Sequence, residues 1–126
     1  MKNLIIALVV VVAILAIGIG EQFYIVETLT TMDNMCEELL ELLLENDIDN
    51  AKIKTINMIK YWDKRSSTLD YIYSYKEFDD IPSTLGELNG NMRSDNAENA
   101  IANVTHIQFC VISRLDRMRY NISNIL

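Results

Sequence analysis

Apolar and polar positions divide the chain into one unbroken apolar run and a longer part with helical periodicity. The run extends over residues 4–19, between Lys2 on one side and Gly20 and Glu21 on the other. At 1.5 Å per residue it forms a helix of about 24 Å, which approaches the ~30 Å hydrocarbon core of a bilayer once flanking residues are included. A helix buried in a soluble domain would show a polar stripe, which this run lacks. We therefore predict a transmembrane anchor over residues 1–22.

The membrane anchor would contact lipid through its large apolar side chains, which are Leu4, Ile5, Ile6, Leu8, Val9, Val10, Val11, Val12, Ile14, Leu15, Ile17 and Ile19. A cleaved signal peptide is the alternative, with cleavage near Gly20. Lys2 is the only charged side chain before the run, the run is long for a signal peptide, and no Ala-x-Ala site follows it, so we favour an uncleaved signal-anchor. Because Lys2 precedes the run and Glu21 and Glu27 follow it, we expect a cytoplasmic N-terminus in the cell membrane and an extracytoplasmic domain over residues 23–126.

The first soluble helix is predicted to continue directly from the anchor. Apolar side chains follow it at spacings of three and four, which place them on one helix face; these are Ile25, Leu29, Met32, Cys36, Leu39 and Leu43. No helix breaker separates this stripe from the anchor after Gly20. We therefore predict one helix from about Lys2 to Glu45, ended by Asn46 and Asp47.

The last helix has the same periodicity. Asp95 and Glu98 have the spacing of a capping box, and the predicted apolar stripe consists of Ala97, Ile101, Val104, Gln108, Val111, Leu115, Met118 and Ile122. Gln108 is its one polar member. It either sets the register through a buried hydrogen bond or, as we favour, lies at a partly exposed edge.

Two shorter helices are predicted between these. The first begins after a cap at Asp47 or Asp49 and ends near Arg65, and its predicted core residues are Ile53, Ile56, Met58, Ile59 and Trp62. The second begins after Ser66 or Ser67, and Pro82 either starts its final segment or kinks it. The predicted fold class is all-α: an N-terminal transmembrane helix continuous with an antiparallel four-helix bundle.

Charge excludes one class of partner and indicates one candidate surface. The chain has 18 acidic and 11 basic residues and a formal net charge of −7, so it should repel nucleic-acid phosphates and we expect no nucleic-acid partner. A basic and aromatic group near the second predicted turn resembles a membrane-interface anchor; it comprises Lys60, Tyr61, Trp62, Lys64 and Arg65. The alternative that we favour is that these rings belong to the core.

Candidate chemical groups are few. We find no phosphate-binding loop, nucleophile elbow or HExxH motif, and we therefore expect neither an enzyme nor a cofactor. His106 is the sole histidine, and we expect a surface side chain rather than a zinc ligand. The antiparallel arrangement places Cys36 and Cys110 about one helical turn apart. An oxidising exterior permits a disulfide between them, but we favour two buried thiols.

Several segments together carry a family resemblance: the start MKNLIIALVVVVAILAIGIGEQF, Trp62, the EFDDI segment at Glu77 to Ile81 and the NIL ending at Asn124 to Leu126. They look like a family of short, N-terminally anchored helical proteins of spore-forming Gram-positive bacteria that carries a domain-of-unknown-function label. The resemblance implies a bacterial source, with the lipid bilayer and a multi-pass membrane protein as neighbours.

Two functions are compatible with this pattern. We expect a structural or protein-interaction module that binds another envelope protein. The alternative is a ligand-sensing bundle, anchored or secreted, with a site between the helices near Trp62, Tyr73 and Gln108.

Overall fold

The chain forms an antiparallel bundle of helices in which each helix packs on its neighbours in sequence and the last packs on the first. The structure, a computed structural model, describes the backbone of residues 1–72 and 80–125 and the side chains of residues 1–69 and 80–120. Within these ranges the helices are α1 (Lys2–Leu44), α2 (Ile48–Ile72), α3 (Asp80–Arg93) and α4 (Ala97–Ile125). Helix α1 packs on α2 and α4, and α3 packs on the same two helices. The predicted all-α fold is confirmed.

Helix α1 has two different surroundings along its length. Residues up to Phe23 are exposed, whereas burial begins at Ile25 and recurs along one face as far as Leu43. The prediction of a single helix that extends from the apolar run into the bundle is confirmed, and all six residues of its predicted stripe are buried.

The α1–α2 and α3–α4 connections are two turns of the same geometry. Asn46 and Asp95 occupy the left-handed region with φ of 61° and 56°, where asparagine and aspartate are tolerated better than other residues with a side chain. The backbone N–H of the residue after each of them donates to a carbonyl of the preceding helix. Asp47 donates to Leu42 at 2.9 Å in the first turn, and Asn96 donates to Asn91 at 2.9 Å in the second. This pattern satisfies carbonyls at the helix end.

The same turns supply the N-caps of α2 and α4. An oxygen of Asp47 accepts from the backbone N–H of Asn50, at 3.4 Å, and Asn96 Oδ1 accepts from that of Asn99, at 3.2 Å. The prediction of Asp47 as a cap is confirmed. The prediction of Asp95 as the cap of the last helix is wrong, because Asp95 takes the left-handed position of the turn and Asn96 follows it as the cap.

The two hairpins also bury corresponding positions, counted from their turns. The matched buried pairs, given first for α1 and α2 and then for α3 and α4, are Leu39 with Leu88, Leu43 with Met92, Ala51 with Ala100, Met58 with Ile107, and Trp62 with Val111. One packing scheme is therefore used twice, and α1 differs from α3 by its long apolar extension.

The predicted break near Arg65 is wrong. Helix α2 continues through Ser66 and Ser67 to Ile72. The two hydroxyls donate to carbonyls three residues back, Asp63 at 3.4 Å and Lys64 at 3.2 Å, which is compatible with a helical backbone. Pro82 lies in the first turn of α3, where it is tolerated. The predicted start of the third helix after Ser66 or Ser67 is also wrong, because both residues lie within α2. Tyr73 and residues 77–79 of the EFDDI segment lie outside the described residues.

The buried face of α2 differs from the prediction. Met58 and Trp62 are buried as expected, but Ala51 and Thr55 occupy the core in place of Ile53 and Ile56. The two isoleucines are 58% and 48% exposed. Thr55 can be buried because its hydroxyl donates a hydrogen bond to the carbonyl of Ala51 at 2.8 Å, so that this polar group is satisfied within the helix.

The buried face of α4 also differs from the predicted stripe, but at fewer positions. Its buried residues are Ala100, Val104, Ile107, Val111, Leu115 and Met118. Ala97, Ile101 and Gln108, which were predicted in the stripe, are only partly buried. Gln108 therefore lies at an edge of the core.

Candidate functional site

No other described part of the chain covers the apolar segment of α1. Each predicted lipid-contacting residue from Leu4 to Ile19 is at least 50% exposed. The most apolar window of α1 has a mean hydropathy of 2.9 and none of it is buried. Among the described residues, α1 is the one helix that is long and apolar enough to cross a membrane.

Arg65 joins α2 to α1 just beyond this segment. Its guanidinium lies over the ring of Tyr24, 4.8 Å from the centroid, and over that of Tyr61 at 5.4 Å. Its Nη2 is 3.7 Å from a carboxylate oxygen of Glu27, and the Tyr24 hydroxyl donates to the Arg65 carbonyl at 3.4 Å. These contacts hold the two helices together where the bundle begins.

The predicted membrane-interface group does not form one surface. Trp62 is 2% exposed and belongs to the core, which agrees with the alternative that we favoured. Tyr61 is half-buried and Arg65 is held between two rings, while Lys60 and Lys64 are exposed. A contact of Lys64 with lipid headgroups stays a prediction.

The two cysteines are free thiols in different surroundings. Cys36 is fully buried, and burial, with smaller contributions from Asp33 and Glu37, raises the pKa of its thiol from 9.0 to about 12. Cys110 is only partly buried. The disulfide, which we did not favour, is not formed, and of the two buried thiols that we expected only Cys36 is fully buried.

At the interface between α1 and α4, Gln108 forms hydrogen bonds from one helix to the other. The side-chain amide of Gln108 donates to Asp33 Oδ1 at 3.1 Å and to Glu37 Oε1 at 2.7 Å. Gln108 thus lies at a partly exposed edge, as we favoured, and from there it also forms hydrogen bonds between α4 and α1, as the alternative proposed. Trp62 lies within the core, and Tyr73 is outside the described residues, so the described residues do not assemble the predicted ligand site.

The seam between α2 and α3 is open. Of the four neighbouring helix pairs, this pair packs least extensively, and a groove of about 400 Å³ lies along it. Its lining is mainly apolar but includes three basic side chains. The lining residues are Lys52, Thr55, Ile56, Ile59, Lys60, Asn89, Met92 and Arg93. We refer to this feature as the α2–α3 groove.

The charges at the α2–α3 groove are positive on a chain that is negative overall. Lys52 pairs with Asp95 at 3.0 Å. For Lys60 and Arg93 the described residues provide no ion pair. Ile53, Ile56 and Lys60 follow one another at helical spacings of three and four, so Ile53 lies on the same face of α2 and extends the apolar side of the groove.

One family match covers the whole bundle. The family described as a domain of unknown function, DUF4363, matches residues 19–125. The chain belongs to the DUF4363 family. No curated protein and no solved structure matches the chain. The DUF4363 match includes every core residue described above and begins at the last residue of the apolar run, so the family unit corresponds to the bundle.

Sequence reasoning missed the groove of the DUF4363 bundle because it assigned Ile53 and Ile56 to the core. A signal was present in the charges: Lys52 and Lys60 flank these isoleucines on the helix surface. Isoleucines interleaved with lysines on one face fit an exposed binding surface better than a buried stripe.

Proposed function

We propose that this protein is a single-pass membrane protein whose helical bundle lies outside the cytoplasm and binds another envelope protein through the α2–α3 groove. The observation that carries the proposal is the contrast between two exposed apolar surfaces. One is a helix of membrane length, and the other is a groove with unpaired cations beside it.

Membrane insertion is supported by the exposed area of the α1 segment. Moving one large aliphatic side chain from water to an apolar phase contributes roughly 1.5–3 kcal/mol. For the apolar side chains of residues 4–19 the sum is on the order of tens of kcal/mol in favour of lipid. An uncleaved anchor is favoured because no Ala-x-Ala cleavage site follows the apolar run and the run is long for a signal peptide.

The orientation is supported by the distribution of lysine and arginine. The N-terminal amine and Lys2 precede the apolar run, whereas the first basic residue after it is Lys52. Basic residues close to a membrane span are retained in the cytoplasm. This asymmetry supports a bundle outside the cytoplasm, and the resemblance to proteins of spore-forming Gram-positive bacteria supports the envelope of such a cell as its location.

The occupant of the groove that we propose is an amphipathic helix with acidic residues beside its apolar stripe. A groove between two antiparallel helices accommodates a third helix along the bundle axis. Ile53 and Ile56 offer apolar area, while Lys60 and Arg93 match carboxylates on the partner. Because the bundle is tethered at the membrane, a multi-pass membrane protein is the class of partner that fits best.

Site-specific photocrosslinking in native membranes tests this proposal. A photoreactive residue replaces Ile56 in the full chain, and a matched control places it at Ala102, an exposed position of α4. We expect crosslinks to an acidic amphipathic segment of a membrane protein from position 56 only. Lys60→Glu should lower the crosslinked yield at least tenfold, whereas Lys64→Glu should leave it unchanged.

Three outcomes contradict the proposal. They are equal crosslinking from positions 56 and 102, crosslinking at 56 only to a second copy of this chain, and no crosslink in membranes that contain the folded protein. Crosslinking to a basic segment would contradict the proposed charge complementarity.

A further inference from the structure

Three side chains with different ligand atoms converge on the outer surface of the bundle. Asp80 is the first residue of α3, and His106 and Cys110 lie one turn apart on α4. One ligand atom from each of these residues lies within 4.8 Å of the other two. We expected His106 to have no ligand partner, but the spacing of four residues on a helix brings Cys110 beside it.

The spacing of the His106–Cys110 pair fits a tetrahedral metal ion. Cys110 Sγ and His106 Nε2 are 3.8 Å apart. Zinc bonds of about 2.3 Å to sulfur and 2.0–2.1 Å to nitrogen at a tetrahedral angle require a separation of about 3.6 Å. A small side-chain adjustment therefore brings both atoms to bonding distance, and Asp80 supplies a third ligand from a second helix.

The surroundings leave room for a fourth ligand. Asp80 and Cys110 line a groove of about 280 Å³, together with Phe109 and other residues of α3 and α4. Asp80 and His106 are exposed and Cys110 is partly buried. An ion held by these three groups would keep one position open toward this groove.

The charges of the proposed ligands match a divalent cation. As ligands, the Asp80 carboxylate and the Cys110 thiolate carry one negative charge each, while Arg114 and Arg117 of the same groove are positive. A divalent cation offsets both negative charges, and the thiol proton is released to solvent as the sulfur–metal bond forms.

We infer that Asp80, His106 and Cys110 bind one Zn²⁺ ion, with water or a side chain of a partner as the fourth ligand. A carboxylate, an imidazole and a thiolate are the ligand types that zinc uses in proteins, and three protein ligands with water in the fourth position form a known class of zinc coordination. Cys36 takes no part, because it is fully buried. The site is separate from the α2–α3 groove and does not depend on it.

Titration of the full chain in detergent micelles with Co²⁺ tests this inference. Cobalt reports thiolate ligation through sulfur-to-metal charge-transfer absorption and should bind one equivalent that Zn²⁺ displaces. We expect Cys110→Ser to abolish this absorption. His106→Gln and Asp80→Asn should each weaken Zn²⁺ binding by more than about 100-fold, since loss of a direct ligand costs more than the 10–100-fold typical of residues around the ligands.

Two matched controls distinguish the site from general binding by thiols and acids. Cys36→Ala removes the other thiol, and Asp116→Asn removes an exposed carboxylate elsewhere on α4; neither should change Zn²⁺ affinity more than about twofold. The inference is overturned if the absorption persists in Cys110→Ser. It is also overturned if His106→Gln and Asp80→Asn bind Zn²⁺ as tightly as the unmodified chain, because Cys110 alone would then hold the ion.

Discussion

Replacement of Trp62 by alanine tests the packing of the bundle most severely. Trp62 is 2% exposed and is among the largest fully buried side chains of the core. Truncation of such a side chain costs about 3–5 kcal/mol, which includes lost transfer free energy and the cavity that remains. A domain of this size is stable by roughly 5–15 kcal/mol, so Trp62→Ala should remove a large share of the free energy of unfolding.

Urea unfolding of the full chain in detergent micelles, followed by helical circular dichroism, measures this loss. With a urea dependence of roughly 2 kcal/mol per molar, the midpoint should fall by roughly 2 M. Ile56→Ala is the matched control, because it truncates an apolar side chain of the same helix that is 48% exposed. This variant should cost about 1 kcal/mol, in proportion to the smaller area removed from contact.

The comparison of these two variants decides the orientation of α2. The packing described here is refuted if Trp62→Ala costs less than about 1 kcal/mol, or if Ile56→Ala destabilises the bundle equally. Either result would mean that α2 presents its isoleucine face to the core.

Three further predictions concern a contact and two thiols. Arg65→Ala should lower the free energy of unfolding by about 1–2 kcal/mol through the loss of two cation–π contacts, measured by thermal unfolding, and Arg65→Lys should recover only part of it because the planar guanidinium is lost. The pKa of Cys36 is raised from 9.0 to about 12 in the folded state, so the free energy of unfolding should fall as pH rises from 9 toward 12, by up to about 1.4 kcal/mol per pH unit. Urea titrations at several pH values measure this fall, which should be shallower in Cys36→Ala. An equal fall in that variant would contradict Cys36 as the cause. Alkylation followed by mass spectrometry should modify Cys110 well before Cys36, since only Cys110 is accessible without unfolding, and equal rates would contradict the burial of Cys36.

The sequence pattern predicted α1 well because its periodicity is carried by large apolar residues. Ile25, Leu29 and Leu43 belong to a stripe that recurs at spacings of three and four along the whole bundle part of α1, so its periodicity identifies the buried side even though Leu42 and Leu44 lie beside it. The same reasoning failed on α2, where Ala51 and Thr55 occupy the core and the larger isoleucines do not. Small or internally hydrogen-bonded side chains allow close helix approach but contribute little to an apolar pattern.

The end of α2 and the metal-ligand cluster were missed for different physical reasons. Ser66 and Ser67 suggested a break, yet their hydroxyls bond back into the helix and α2 continues past them. The pairing of His106 with Cys110 was readable from their spacing on one helix. Asp80 was not, because its approach depends on how α3 packs against α4.

The central claim of the proposed function is that an uncleaved α1 holds the bundle outside the cytoplasm, and thiol labelling in intact cells tests this claim most directly. Single cysteines are introduced by Asn3→Cys before the apolar run or by Ser94→Cys in the exposed α3–α4 turn, in a Cys110→Ser chain whose buried Cys36 is shielded from reagent. We predict that a membrane-impermeant maleimide labels position 94 in intact cells and position 3 only after lysis, with both chains in the membrane fraction. Labelling of position 3 in intact cells, protection of position 94, or release of a chain that lacks position 3 would contradict the account.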